Sequence, residues 1–327
     1  SFPTRRSSDL IVLDMIKPGR PVKDISISKD SEINQIFQEM AASGGFESRN
    51  ITEGLEILSS MIENQDCLKF LSFIGAIIST GFRGIIKDMI KKKWFDVVFT
   101  TCGALDHDIA RHFSNYKEGS FSMDDKILAE QDMHRLGNII VPLESYGPII
   151  EEKVQSVLEQ VYKTGKKEMS TADITKELGK IMGEDSFLYW AYKNDIKVIV
   201  PGIMDGAVGS QIWMFSQNHP DFKLNLIDDA NFISSLVFKA KQSGALLLGG
   251  GVPKHHALWW NQYRDGLDYA VYITTAQEFD GSSSGALVKE AISWGKVTQD
   301  AKQTTIHAEI TTVFPFIFKA LLNRLEK

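Results

Sequence analysis

Residues 244–285 read GALLLGGGVPKHHALWWNQYRDGLDYAVYITTAQEFDGSSSG. Two short, continuous apolar runs stand in this stretch, at 245–248 and 269–273. Each breaks abruptly into polar, glycine-bearing sequence. The first leads into Gly249, Gly250 and Gly251, then Lys254, His255 and His256; the second into Thr274, Thr275, Ala276, Gln277, Glu278, Phe279, Asp280, Gly281 and three serines. Apolar runs without alternation are expected of strands buried on both faces, because both sides of the pleat then need apolar cover. The same unit recurs upstream. The run 95–99 leads into Thr100, Thr101, Cys102 and Gly103 with Asp106-His107-Asp108 close behind, and 197–200 leads into Pro201, Gly202, Ile203, Met204, Asp205 and Gly206. A fifth run of the same kind lies at 68–73.

Helical patterns separate these runs, at 53–63, 80–92, 105–113, 151–163, 171–182, 186–194, 231–242 and 288–294, with a last one at 315–326. Ser170 followed by Asp173 resembles a capping signal for the helix at 171. Strand–helix alternation predicts an α/β fold, a mostly parallel sheet with helices on both faces. The stretch 116–142 is polar and mixed and reads as an insertion or lid. No internal repeat or linker divides the chain, so residues 11–327 read as a single domain. The opening ten residues, SFPTRRSSDL, carry no periodicity and are expected to be a disordered or artefactual start.

Composition narrows the function. A formal net charge of -6 argues against a nucleic-acid binder that works by neutralising phosphates. The one dense basic run, Lys91 to Lys93, is expected to be a solvated helix end. No run approaches the ~18 apolar residues of a membrane span, and no signal peptide is recognised. Two cysteines, Cys67 and Cys102, make no disulfide framework and point to a reduced, cytoplasmic setting.

Ligands of open α/β sheets bind at the carboxyl ends of the strands. Four polar, glycine-rich loops on one such edge predict a crevice, where glycines allow close backbone approach and helix N-termini favour phosphate. Neither GxGxxG nor GxxxxGK[ST] is present, so the residues alone leave a nucleotide, a sugar phosphate or an amine open. Acidic residues at Asp205, Glu278, Asp280, Glu290 and Glu309 would suit ribose hydroxyls or a cationic substrate. Asp106-His107-Asp108 and His255-His256 offer ligand types for a metal, but adjacent residues point in different directions, and no metal is expected. Cys102 reads as a packed residue rather than a nucleophile.

The pieces GGGVPKHH, DYAVYITTAQEFDGS and EAISWGK resemble the active-site block of deoxyhypusine synthases. NITEG at 50–54, SFIGAIISTGFRGII at 72–86, VVFTTCGALDHDIARHF at 97–113, FLYWAYKNDIKVIVPGIMDGAVGSQIW at 187–213 and HAEITTVFP at 307–315 follow in family order, with an archaeal flavour. The resemblance implies a Rossmann-like core and NAD as cofactor. It also implies transfer of the aminobutyl group of spermidine, through an enzyme-lysine imine, to a lysine of the translation initiation factor 5A precursor. A homotetramer with active sites at subunit interfaces is part of the same picture. By resemblance Lys296 is the imine-forming lysine and His255 the general base, while Trp294 and Glu290 bind substrate; Asp106 and His107 fall in the substrate-binding block. The NAD residues fall on Ser79, Thr101, Cys102, Gly103, Asp205, Gly249, Gly250, Gly251, Thr275, Ala276, Asp280, Ser284 and Glu309.

The chain departs from the family pattern in places. Ser210 and Ser283 stand where eukaryotic members carry aspartates that grip spermidine, His107 replaces a glutamate and Glu309 an aspartate. An ammonium without a carboxylate in a dry pocket costs several kcal/mol. Either Asp106, Asp108 or Glu278 compensates, or the donor is another amine, as for homospermidine synthases that act on putrescine. An inactive NAD-binding paralogue is a third reading.

Overall fold

A computed structural model describes residues 19–326, and the expected disordered start at 1–10 lies outside the described residues. The chain forms a six-stranded sheet in which every neighbouring pair is parallel. Its strands are β1 (Cys67–Phe73), β2 (Val97–Phe99), β3 (Lys197–Ile199), β4 (Gln242–Leu248), β5 (Leu267–Thr274) and β6 (Val297–His307). The spatial order is β6-β5-β4-β1-β2-β3. The chain therefore builds outward from β1 through β2 and β3, returns to the other side of β1 with β4, and continues to β6. That order is the dinucleotide-binding one, and its switch point lies between β1 and β4.

Burial on both faces follows from the strand sequences. Leu71, Phe73, Val98, Leu246, Leu248, Val271 and Ile273 enter one apolar core. Their alternate neighbours Phe70, Val97, Phe99, Ala245, Leu247, Ala270 and Tyr272 enter a second. With a side-chain period of two, only a continuously apolar strand feeds both cores.

The structure corrects several expected elements. β6 was not expected: its sequence VTQDAKQTTIH is polar along much of its length, because it is the edge strand and has a partner on one side only. Three helices begin at the strand loops, α1 (Cys102–Phe113), α2 (Ala207–Asn218) and α3 (Gly251–Asn261). α1 starts before the expected 105; α2 and α3 were not expected, being interrupted by glycine or proline near their starts. The pattern at 288–294 is a 3-10 turn, Val288–Ile292, and the helix expected at 231–242 runs Leu226–Val237, with Gln242 already in β4. The capping box at Ser170 and Asp173 is present. The stretch 116–142 folds as its own three-stranded antiparallel sheet, Ile139–Pro142 between Lys117–Glu118 and Met133–Leu136, with a short helix Asp125–Glu130. Both cysteines are free and buried, and among the described residues no helix is long and apolar enough to cross a membrane.

Candidate active site

The switch-point crevice is lined by Gly249, Gly250, Gly251, Thr275, Ala276, Ser284 and Glu309, seven of the residues expected to hold NAD. Gly249 and Gly251 have φ of +80° and +70°, a left-handed conformation that strains any other residue. A Cβ on Gly250 would sit 2.4 Å from Ser284 Oγ and 2.5 Å from its Cα. The Gly251 amide donates to Ser284 Oγ at 2.9 Å, which fastens this loop to the one after β5. α3 starts at Gly251 beside the crevice, so the positive end of its dipole favours an anion there. Burial would raise Glu309, but the hydroxyls and amides of Thr311 and Thr312 outweigh it and hold the carboxyl below its ordinary range.

A second cavity, about 300 Å³ in volume, contains Lys296, His255, Glu290, Trp294 and Ser283, together with Lys254 and Trp259. Lys296 follows Gly295, whose φ is +65°, and its backbone is pinned by bonds from its own amide to Ala291 O and from the Leu267 amide to its carbonyl. It stands at the amino end of β6, the opposite end of the sheet from the glycine loops. The residue is nevertheless only 9% exposed, with Nζ 5.1 Å from the ring centres of both Trp259 and Trp294.

The two cavities share a wall. Along α3, Gly251 lines the crevice and Lys254, His255 and Trp259 line the lysine cavity; of two consecutive serines, Ser283 faces the lysine cavity and Ser284 the crevice. Lys254 braces this wall: Nζ donates to Ser283 O at 2.8 Å and Ala286 O at 2.5 Å, and lies 4.0 Å from the centre of the Tyr272 ring. Burial lowers the Lys254 pKa to about 8. Burial, then the Lys296 and Lys254 charges, hold His255 below the usual imidazole range. His256 faces elsewhere, accepting from Trp260 Nε1 at 2.9 Å against the Phe99 ring, and burial lowers it to about 4.

The other expected residues lie apart from both cavities within one chain. Ser79 is buried and borders a separate polar hollow with Arg111 and Tyr116. Thr101 precedes α1 without a side-chain bond to its amides, and its hydroxyl accepts from the Gly75 amide at 3.0 Å; Gly103 lies in the first turn of α1; Asp205 and Asp280 are exposed. The Cys102 thiol is buried 3.7 Å from Asp106, and burial with the Asp106 charge pushes it far up, so it is no nucleophile. Asp106 accepts from the Ala207 and Val208 amides at 3.0 and 2.9 Å and from Tyr146 Oη at 2.9 Å. Its acceptor capacity is spent on holding the start of α2. His107 bonds to Tyr116 Oη at 2.9 Å, and burial, then Arg111, lower it to about 4. Asp108 is buried on Arg83 and Ser186. Among the described residues no three His, Cys, Asp or Glu gather as a metal would require. Lys254 and Trp259 are the lining residues the sequence reading missed; an i, i+4 relation of Trp259 to His255 would have flagged it, had α3 been recognised.

A family model described as deoxyhypusine synthase matches residues 35–321 of the chain. A probable deoxyhypusine synthase of Thermoplasma acidophilum is 50% identical over 305 residues, 93% of this chain and 98% of its own length. One of Ignicoccus hospitalis is 42% identical over 320 residues, 96% of this chain and 98% of its own length. A crystal structure from Entamoeba histolytica, assigned as a deoxyhypusine synthase, superposes with a TM-score of 0.62 at 20% identity, covering 91% of this chain and 96% of that one. At that identity, what is shared is the fold.

Proposed function

We propose a reaction for this chain from one premise: the chain belongs to the deoxyhypusine synthase family, and is an aminobutyltransferase of that type. In our reading the donor is spermidine, the cofactor NAD, and the acceptor a lysine of the translation initiation factor 5A precursor. The observation that carries it is a buried lysine amine held between two indoles, in a cavity that shares a wall with a glycine-lined crevice at the switch point of the sheet.

The crevice suits NAD. The left-handed glycines leave backbone open to a pyrophosphate beside the start of α3, and Glu309 is a carboxylate held ionised for a ribose hydroxyl. NAD, when bound, supplies the acceptor and later the donor of hydride. Lys296, buried beside two aromatic rings, takes the butyl group as an imine at Nζ. His255, kept neutral at physiological pH, accepts a proton at one ring nitrogen. Glu290 pairs with an ammonium of the donor, and Trp294 packs its methylenes and faces its charge.

A second reading, a homospermidine synthase-like transfer to putrescine, is favoured by one observation: Glu290 is the one carboxylate lining the cavity, with Ser283 where another could stand. Both readings place the enzyme in the cytoplasm as a homotetramer, in which Asp205 and Asp280, exposed here, face a neighbouring subunit. Incubation with NAD and spermidine labelled in its butyl carbons, with the acceptor precursor in one arm and putrescine in another, tests the assignment. Label on the precursor supports the first reading, label in a small amine the second, and label in neither rejects both. Cyanoborohydride trapping should place the butyl group on Lys296.

A further inference from the structure

Between the crevice and the lysine cavity runs one short segment, Ser283 to Ala286, and donors from two elements hold it. From α3, the Gly251 amide donates to Ser284 Oγ at 2.9 Å. One turn on, Lys254 Nζ donates to Ser283 O at 2.8 Å and to Ala286 O at 2.5 Å. From β5, Tyr272 Oη donates to Ser284 O at 2.6 Å, and its ring centre lies 4.0 Å from Lys254 Nζ. Otherwise, among the described residues, the segment is bonded to its own loop, the Gly285 and Ala286 amides both donating to Ser282 O at 3.1 Å. A buried amine is kept where its N–H groups find acceptors, and here the acceptors are the two ends of the segment. Lys254 and Tyr272 are 3% and 0% exposed, and every donor and acceptor belongs to the same chain. The arrangement is therefore complete whatever a neighbouring subunit covers. Its consequence is geometric. Ser283 lines the lysine cavity and Ser284 the crevice, and Ser284 packs so closely on Gly250 that a Cβ there has no room. A shift of the segment moves the walls of both cavities together.

We infer that Lys254 and Tyr272 are positioning residues: they form a buried latch on Ser283 to Ala286 that fixes the wall between the cofactor crevice and the cavity of Lys296, and so sets the gap the reacting groups must bridge. Both act through the segment rather than on the substrate. The inference rests on the aminobutyl-transfer reading and gives a task to two buried polar side chains that the reading left without one.

The test compares wild type with Lys254→Met, Tyr272→Phe and the double variant. Methionine keeps an unbranched side chain and phenylalanine the ring; each removes only donors. Hydrogen exchange at the Gly285 and Ala286 amides reads the latch without reference to activity, and kcat and the spermidine KM, per folded enzyme, read its effect on transfer. Exchange at both amides should quicken about tenfold in each single variant. kcat should fall about ten- to a hundredfold while KM changes less than threefold, because small misplacements of reacting groups act on the chemical step. The double variant should lose little more than the worse single one, since both act on one segment. Tyr272→Phe carries the test if Lys254→Met does not fold. Unchanged exchange at those amides in the folded variants overturns the inference, as does a kcat that falls only with the folded fraction, or losses that multiply in full in the double variant. If wild type transfers no butyl group, the reaction reading falls, and exchange at Gly285 and Ala286 still upholds or overturns the latch.

Discussion

Asp106→Ala isolates the role of a carboxylate that the resemblance places with the substrate and the fold uses otherwise. α2 begins at Gly206 with no side-chain cap of its own. The cap comes instead from Asp106 of α1: Oδ1 takes the Val208 amide at 2.9 Å, and Oδ2 takes the Ala207 amide at 3.0 Å and Tyr146 Oη at 2.9 Å. The carboxylate is 1% exposed, so water does not replace it. Each buried donor left without a partner costs about 1–3 kcal/mol, and losing an N-cap costs roughly 0.5–2 kcal/mol. Asp106→Ala should therefore cost about 3–5 kcal/mol, a large part of the ~5–15 kcal/mol typical of folded domains. Asn is no substitute, since each oxygen faces a backbone N–H and an amide would aim its NH₂ at one of them. Asp106→Asn should cost about 1–3 kcal/mol. Urea unfolding at fixed protein concentration measures both, and hydrogen exchange should show the Ala207 and Val208 amides opening first. A loss below about 1 kcal/mol for Asp106→Ala, or unchanged exchange at those two amides, refutes the cap. A selective rise in the donor KM without loss of stability would return Asp106 to the substrate.

Gly250→Ala forces a Cβ to within 2.5 Å of the Ser284 backbone; NAD affinity should fall tenfold or more while amine binding in the absence of NAD holds, as read by titration with each ligand. His255→Ala should lower kcat about 10²–10⁴-fold, whereas His256→Ala, which loses the Trp260 bond and the Phe99 contact, should lower stability and leave turnover of the folded fraction near wild type. Lys254 gives a pH signature. Its folded pKa, about 8, lies below the ordinary 10.5, so between these values the unfolded chain holds the proton more tightly and stability rises with pH. Unfolding of wild type against Lys254→Met from pH 7 to 10.5 should reveal this rise, up to about 3 kcal/mol, in wild type alone. A parallel pH dependence in both proteins would show that Lys254 stays charged in the fold.

The strands of the sheet interior are written locally, because a strand covered on both faces must be apolar at every position; 245–248 and 269–273 sit inside β4 and β5 for that reason. The chemistry around Lys296 is local too, since Glu290, Trp294 and Lys296 lie within one turn and the start of a strand. β6 escaped because an edge strand tolerates polar residues, and α3 because its first turn is glycine and proline and its apolar stripe is short. The tertiary structure alone decided what distant residues do. Asp106 reads as a ligand in a line of text and is a cap for a helix 101 residues further on, because only the packing of α1 against α2 brings those amides to it. In the same way, nothing in the spacing of Trp259 from Lys296 places an indole over an amine. Their meeting depends on where β6 starts relative to α3, and that is set by burial across the whole sheet rather than by any local preference.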